Sequence, residues 1–120
     1  MRKFFLFSLS VNTFFVFSQD FTRRDSLRGN LTVIRTCYDV TYYDLNIFID
    51  DNNRTIESSS NTIYFTALSD FKLMQIDLAS NLEIFLIESE GDSLNYIREF
   101  DAIYVFFNRE IKKDEKTKIK

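Results

Sequence analysis

The sequence predicts an all-β fold, an antiparallel β-sandwich or saddle, and three observations carry that prediction. Apolar and polar residues alternate with a period of two over several segments, the signature of strands with one face buried. Polar clusters that favour turns, "DDNNR" at 50–54, "EGD" at 90–92 and "KKDEK" at 112–116, separate those segments. Beyond residue 20, no long stretch keeps the 3.6-residue apolar stripe of an amphipathic helix.

Each strand follows from its own pattern. From Tyr42 onward, Tyr43, Leu45, Ile47 and Ile49 share one face, and Asp44, Asn46 and Phe48 take the other. "DDNNR" then turns the chain. Residues 55–67 form the return strand of a hairpin, with Ile63, Phe65 and Ala67 on one side and Thr62, Tyr64 and Thr66 on the other. After a loop around Ser69, Met74, Ile76 and Leu78 are expected inward, and Gln75 and Asp77 outward. The run "NLEIFLIESE" (81–90) is apolar on both faces, which predicts a central strand. Leu94 and Tyr96, and then Ile103, Val105 and Phe107, supply two more, and "TKIK" (117–120) opens another. The expected core includes Ile47, Ile63, Phe65, Ile76, Leu78, Ile84, Leu86 and Val105.

The N-terminus is of a different kind. Arg2 and Lys3 precede an apolar run from Phe4 to Phe17, and Val16 and Ser18 lie at the −3 and −1 positions of a cut after Ser18. Residues 1–18 are therefore expected to be a signal peptide, helical while uncleaved, with residues 19–120 the mature β domain. The run is shorter than the ~20 residues a spanning helix needs, so no stable membrane anchor is expected after cleavage. Gln19, where a lipoprotein would carry cysteine, follows the cut. The destination is export, periplasmic or secreted.

Composition removes many functions. Of the 15 Lys and Arg residues, the signal segment takes Arg2 and Lys3, leaving 13 against 18 Asp and Glu, a net charge of −5 with no basic patch suited to nucleic acid. There is no histidine, so neither a serine triad of the usual kind nor an HExxH zinc site can be built. With Gly29 and Gly91 as the two glycines, no glycine-rich phosphate loop exists. Cys37 is the single cysteine; it offers no internal disulfide and reads as a small apolar residue at a strand entrance. "DDNN" lacks the ligand spacing of a calcium loop. "NLT" (30–32) and "NRT" (53–55) match the N-glycosylation pattern. No catalytic, cofactor-binding or metal-binding residue is assigned in this chain.

Four blocks, "FTRRDSLRG" (21–29), "RTCYDVTYYDLNIFID" (35–50), "SNTIYFTA" (60–67) and "LMQIDLASNLEI" (73–84), resemble in order and spacing the opening of exported bacterial members of the aminopeptidase N family of zinc metallopeptidases. The resemblance covers nearly all of the mature chain. It implies a β saddle as first domain, followed by a thermolysin-like catalytic domain bearing the GxMEN substrate loop and the HExxH zinc motif. Neither motif is present: Met74 is followed by Gln75, and no residue here corresponds to a zinc ligand or to the general base. The family's first-domain residue that holds a substrate's amino terminus would fall beyond Lys120. Ser58-Ser59-Ser60 stands where related sequences often carry glycine.

On this reading the chain is a truncated N-terminal β domain, incomplete at its C-terminus because "TKIK" resembles the start of a strand that normally continues. It would be a non-catalytic scaffold, with zinc and peptide substrate belonging to the parent enzyme and the missing catalytic domain as its partner. The alternative is a stand-alone exported module that binds a protein or glycan through an exposed sheet face carrying Tyr38, Tyr42, Tyr43, Tyr64 and Tyr96. Core or half-buried sheet positions explain the same tyrosines more simply. The exported protein is expected to begin at Gln19, and mass spectrometry of secreted material checks this; an N-terminal peptide that still contains Met1 would contradict it.

Overall fold

The computed structural model describes residues 22–120; the expected signal segment, residues 1–18, and the cut after Ser18 lie outside them. The all-β prediction holds. After two short helices, α1 (Arg23–Gly29) and α2 (Val33–Thr36), the chain forms β1 (Tyr38–Asp50), β2 (Thr55–Ala67), β3 (Phe71–Asp77), β4 (Glu88–Ser89), β5 (Asp92–Ser93), β6 (Asn95–Glu99), β7 (Ala102–Ile111) and β8 (Lys116–Ile119). One antiparallel sheet has the order β1-β2-β8 and a second the order β3-β7-β6, with β4-β5 as a small hairpin. None of the helices among the described residues is long and apolar enough to cross a membrane.

The two larger sheets bury one core. Ile63, Phe65 and Ala67 of β2 and Ile119 of β8 meet Met74, Ile103, Val105 and Phe107 of the second sheet, with Cys37, Phe71, Ile87, Leu94 and Ile111 filling the ends. Phe65 packs against Tyr38, Phe71 and Phe107 with ring centroids 5.6, 6.2 and 6.3 Å away. Such aromatic pairs add to the area-driven stabilisation that each ring contributes by leaving water.

Two bulges shape the β1–β2 hairpin. Val40 faces Phe65 and Tyr42 faces Tyr64, so Thr41 is the extra residue, and its hydroxyl donates to the Tyr64 carbonyl at 3.2 Å. Farther out, Asn46 faces Ser60 while Phe48 faces Glu57, so β2 gains a residue at Ser58–Ser59. Ser58 has φ 48°, the left-handed region in which glycine sits without strain, and the Phe48 N–H donates to Ser59 Oγ at 3.1 Å. The hairpin turn lies in "DDNNR", with Asp50 Oδ1 accepting from the Asn52 and Asn53 N–H groups.

Several expectations are corrected. Ile47 is 53% exposed, because β1 and β2 run past the second sheet as a two-stranded arm that nothing among the described residues covers. The "NLEIFLIESE" run is not a central strand: residues 78–87 are irregular, and only Glu88–Ser89 enter a hairpin. The middle of the second sheet belongs to β7. Side chains satisfy the irregular backbone instead of a ladder, since the Arg98 guanidinium donates to the carbonyls of Leu78, Ala79 and Leu82 and Tyr96 Oη donates to that of Ile84. Leu86 is consequently exposed, Ile84 is half-buried against the core, and Ile87 is the residue of this run that is buried. Ile76 and Leu78 are likewise half-buried, whereas Ile63, Phe65 and Val105 are buried as expected.

Gln75 points inward, against expectation, because the helical segment lies on that face of β3. Its Nε2 donates to the Leu27 carbonyl at 3.3 Å, and Tyr38 Oη donates to its main-chain carbonyl at 2.6 Å. A capping box between Thr22 and Asp25 starts α1, a signal present in the sequence but too short to register as a stripe. Arg24 and Arg28 then converge on Asp101, which is 4% exposed and also accepts from the Ser80 N–H at 2.8 Å. Burial works to raise the Asp101 pKa, but the Ser80 N–H and the Arg24 guanidinium outweigh it and hold the carboxyl down at about 2.

Replacing Met74, which is 0% exposed, by aspartate is expected to unfold the domain by burying an uncompensated charge. Ile47→Asp, on the exposed arm, should change stability by less than about 0.5 kcal/mol, and thermal melts followed by circular dichroism separate the two outcomes. Because the folded-state pKa of Asp101 lies below its ordinary value of 3.8, its contribution is complete above that value and lost as pH falls toward about 2. Melting temperatures across that window should fall less steeply for Asp101→Asn than for the unaltered chain.

Candidate functional site

The site that the fold offers is a cleft on the polar face of the first sheet. Because β1 and β2 pair Tyr42 with Tyr64, Asp44 with Thr62 and Asn46 with Ser60, these six side chains fall on one face, opposite the core side of Ile63 and Phe65. β8 extends the same face with Lys118 beside Tyr64. The wall is the β4–β5 hairpin, whose two-residue turn has Glu90 at φ 54° and Gly91 at φ 91°, the pair of left-handed conformations that a tight hairpin of this twist requires.

The wall is fastened to the floor by backbone bonds. Glu88 and Lys120 exchange N–H to carbonyl bonds at 2.9 and 2.8 Å, and Ser89 Oγ donates to the Lys118 carbonyl at 2.7 Å. The first sheet therefore continues through β8 into the hairpin and curves. The resulting cleft of about 620 Å³ is lined by Asp44, Asn46, Ser60, Thr62 and Tyr64 on the floor, with Glu88 to Gly91 on the wall and Lys118 and Lys120 between them.

Its electrostatics are mixed. Lys118 Nζ stands 5.4 Å from the centre of the Tyr64 ring, within reach of a cation–π attraction, and Lys120 Nζ is 3.8 Å from Glu88. Glu90 is held by Arg109 at 3.1 Å, and Arg109 also binds Glu115 at 2.5 Å. Hydrogen bonds to Glu115 and then to Glu90 raise the Arg109 pKa, and the bond from Arg109 lowers that of Glu115. Hydroxyl, amide, carboxylate and ammonium groups thus face one groove, an arrangement suited to binding a polar chain.

The residues weighed in the sequence are placed as follows. Cys37 is buried at the C-terminal end of α2, directly before β1, and burial raises its thiol pKa, so the reactive thiolate is disfavoured. Tyr38 is half-buried, with burial pushing its hydroxyl up to about 12; Tyr64 is half-buried in the cleft. Tyr42 and Tyr43 are exposed, and Tyr42 packs on Tyr64 with ring centroids 5.6 Å apart. Asn30 and Asn53, the first residues of the two glycosylation patterns, are exposed. Among the described residues, no group of three or more histidine, cysteine, aspartate or glutamate side chains is placed to hold a metal ion. Strand periodicity marked Thr62, Tyr64 and Thr66 as one face but could not show that the "EGD" hairpin would wall it, since that depends on the pairing of Glu88 with Lys120.

No protein-family model matches the chain, and no curated protein matches it. Among solved structures, the fold is similar to that of a two-domain M1 zinc metallopeptidase crystallised as a mutant bound to L-tryptophan, with a TM-score of 0.61 and 16% sequence identity over 71% of this chain. The chain spans 19% of the length of that metallopeptidase. At this identity the similarity is one of fold.

Proposed function

We propose that this chain is a non-catalytic β scaffold domain of an exported zinc aminopeptidase, one that removes N-terminal residues from peptides with chemistry housed in another domain of the same polypeptide. The observation that carries the reading is the fold similarity to part of a zinc metallopeptidase, in a sequence that has no histidine to ligate zinc. The four sequence blocks that resemble the opening of aminopeptidase N point the same way, and they span α1, β1, the part of β2 from Ser60 to Ala67, and β3 from Leu73 onward. Under this reading the two-sheet core is a rigid mount. The exposed apolar stripe of the β1–β2 arm, Tyr43, Leu45, Ile47, Ile49 and Ile56, is then surface available to the rest of the enzyme.

A second reading, a stand-alone exported module that binds a protein or glycan, is favoured by one observation: the Tyr42–Tyr64 pair adjoins a groove lined almost wholly by polar side chains. It requires no further domain.

The purified chain is expected neither to hold zinc through dialysis nor to release a chromogenic amine from amino-acid derivatives, with or without added zinc. Zinc-dependent turnover that a chelator abolishes and that persists through purification to homogeneity would overturn the scaffold reading. Coding sequence adjoining this region is expected to specify an HExxH segment; its absence in every frame would favour the binding module.

A further inference from the structure

We propose that residues 22–36, which hold both short helices, form an electrostatic strap that opens from the second sheet as one unit when salt screens its arginines, while the two-sheet core stays folded. The register shows how the strap is laid. At one end of the second sheet, Asp77 of β3, Ala102 of β7 and Glu99 of β6 stand in one row. Arg35 pairs with Asp77 at one side of that row and Arg23 with Glu99 at the other, so the segment crosses all three strands. Arg24 and Arg28 both bind Asp101, in the turn between β6 and β7. Ala102 and, two residues along the same face from Asp77, Gln75 are 2% and 3% exposed.

The fastening is charge of one sign on each side. Residues 22–36 contain four arginines and one aspartate, a net charge of 4 − 1 = +3, and the sheet end opposes them with Asp77, Glu99 and Asp101. Apolar contact is slight, since Leu27 is the one buried residue of the segment. Salt screens attraction between partly exposed charges but not the burial of apolar side chains in the core. The segment moves as a unit because the Arg35 guanidinium donates to the carbonyls of Leu27 at 2.6 Å and Arg28 at 3.0 Å, binding α2 to α1. At its far end α2 leads through Cys37, buried in the core, into β1, which anchors it. Asp101 is the latch, since one carboxylate accepts from the arginines of α1 and from the Ser80 N–H of the segment after β3. Opening wets that carboxylate instead of stranding it, which keeps the open state within reach. A neutralised sheet end then becomes an acidic surface, and a basic segment is set free. This proposal does not depend on the enzymatic reading.

The test is amide hydrogen exchange of the full chain between about 0.01 and about 1 M sodium chloride, over which the Debye length falls from ~30 to ~3 Å. The bonded amides of Ser26, Asn30, Arg35 and Thr36 are expected to exchange about tenfold or more faster at the higher salt, and those of β2 and β7 in the core to change less than about twofold. Arg28→Gln should give fast exchange in the strap already at low salt, with a smaller response to added salt. Arg23→Gln, which removes an exposed pair, should leave both nearly as in the unaltered chain. Exchange in the strap that ignores salt, acceleration of strap and core together, or an Arg28→Gln chain that behaves as the unaltered one would each overturn the proposal. Both arginines are exposed, so neither variant endangers the core, and the salt series on the unaltered chain decides by itself.

Discussion

Phe65 is the contact on which the rest of the structure depends. It projects from β2, the middle strand of the first sheet, and reaches Phe107 on β7, the middle strand of the second, with Tyr38 and Phe71 closing around it. Among the described residues each of these two sheets has three strands, so neither could hide an apolar face alone, and both depend on this shared layer. The small residues Cys37 and Ala67, 3% and 0% exposed, let the sheets approach at the ends of β1 and β2. Where the second sheet ends, so does burial: Tyr43 lies directly opposite Ile63 on β2 and is already 53% exposed.

Around that layer, charge fixes what apolar contact leaves loose. The helical segment offers one buried leucine, Leu27, and is held to the sheet by Arg24 and Arg28 on Asp101, by Arg23 on Glu99 and by Arg35 on Asp77. These pairs differ in weight. The pair of Arg23 with Glu99 is solvent-exposed and contributes little, whereas Asp101 is enclosed, so removing its partners would strand a charge. Arg98 plays the same part for residues 78–82, replacing the strand that their backbone lacks.

Much of this was legible in the sequence because it is local. The hairpin, expected from Tyr42 to Ala67 and found to begin at Tyr38, the turns at 50–54, 90–92 and 112–116, and the inward face of Ile63 and Phe65 follow from alternation and turn chemistry. What was not legible depends on distant partners. "NLEIFLIESE" has the composition of a central strand, but a strand needs a vacant ladder, and β3 and β6 already occupy both edges of β7. The apolar alternation of Leu45, Ile47 and Ile49 correctly assigns them to one face without saying whether anything lies over it. The candidate cleft was half readable: its floor is periodic, but its wall rests on the backbone exchange between Glu88 and Lys120.

Cys37 closes α2, opens β1 and offers its carbonyl to the Leu68 N–H, so it lies at the seam where the helical segment and the two sheets meet. As the chain's single thiol, it is shielded from reagents for as long as that seam stays shut. The molecule therefore contains its own clock. The rate at which a thiol-specific label finds Cys37 counts the openings of the core, and a mutation or ligand that tightens the seam slows that count without any probe having to be introduced.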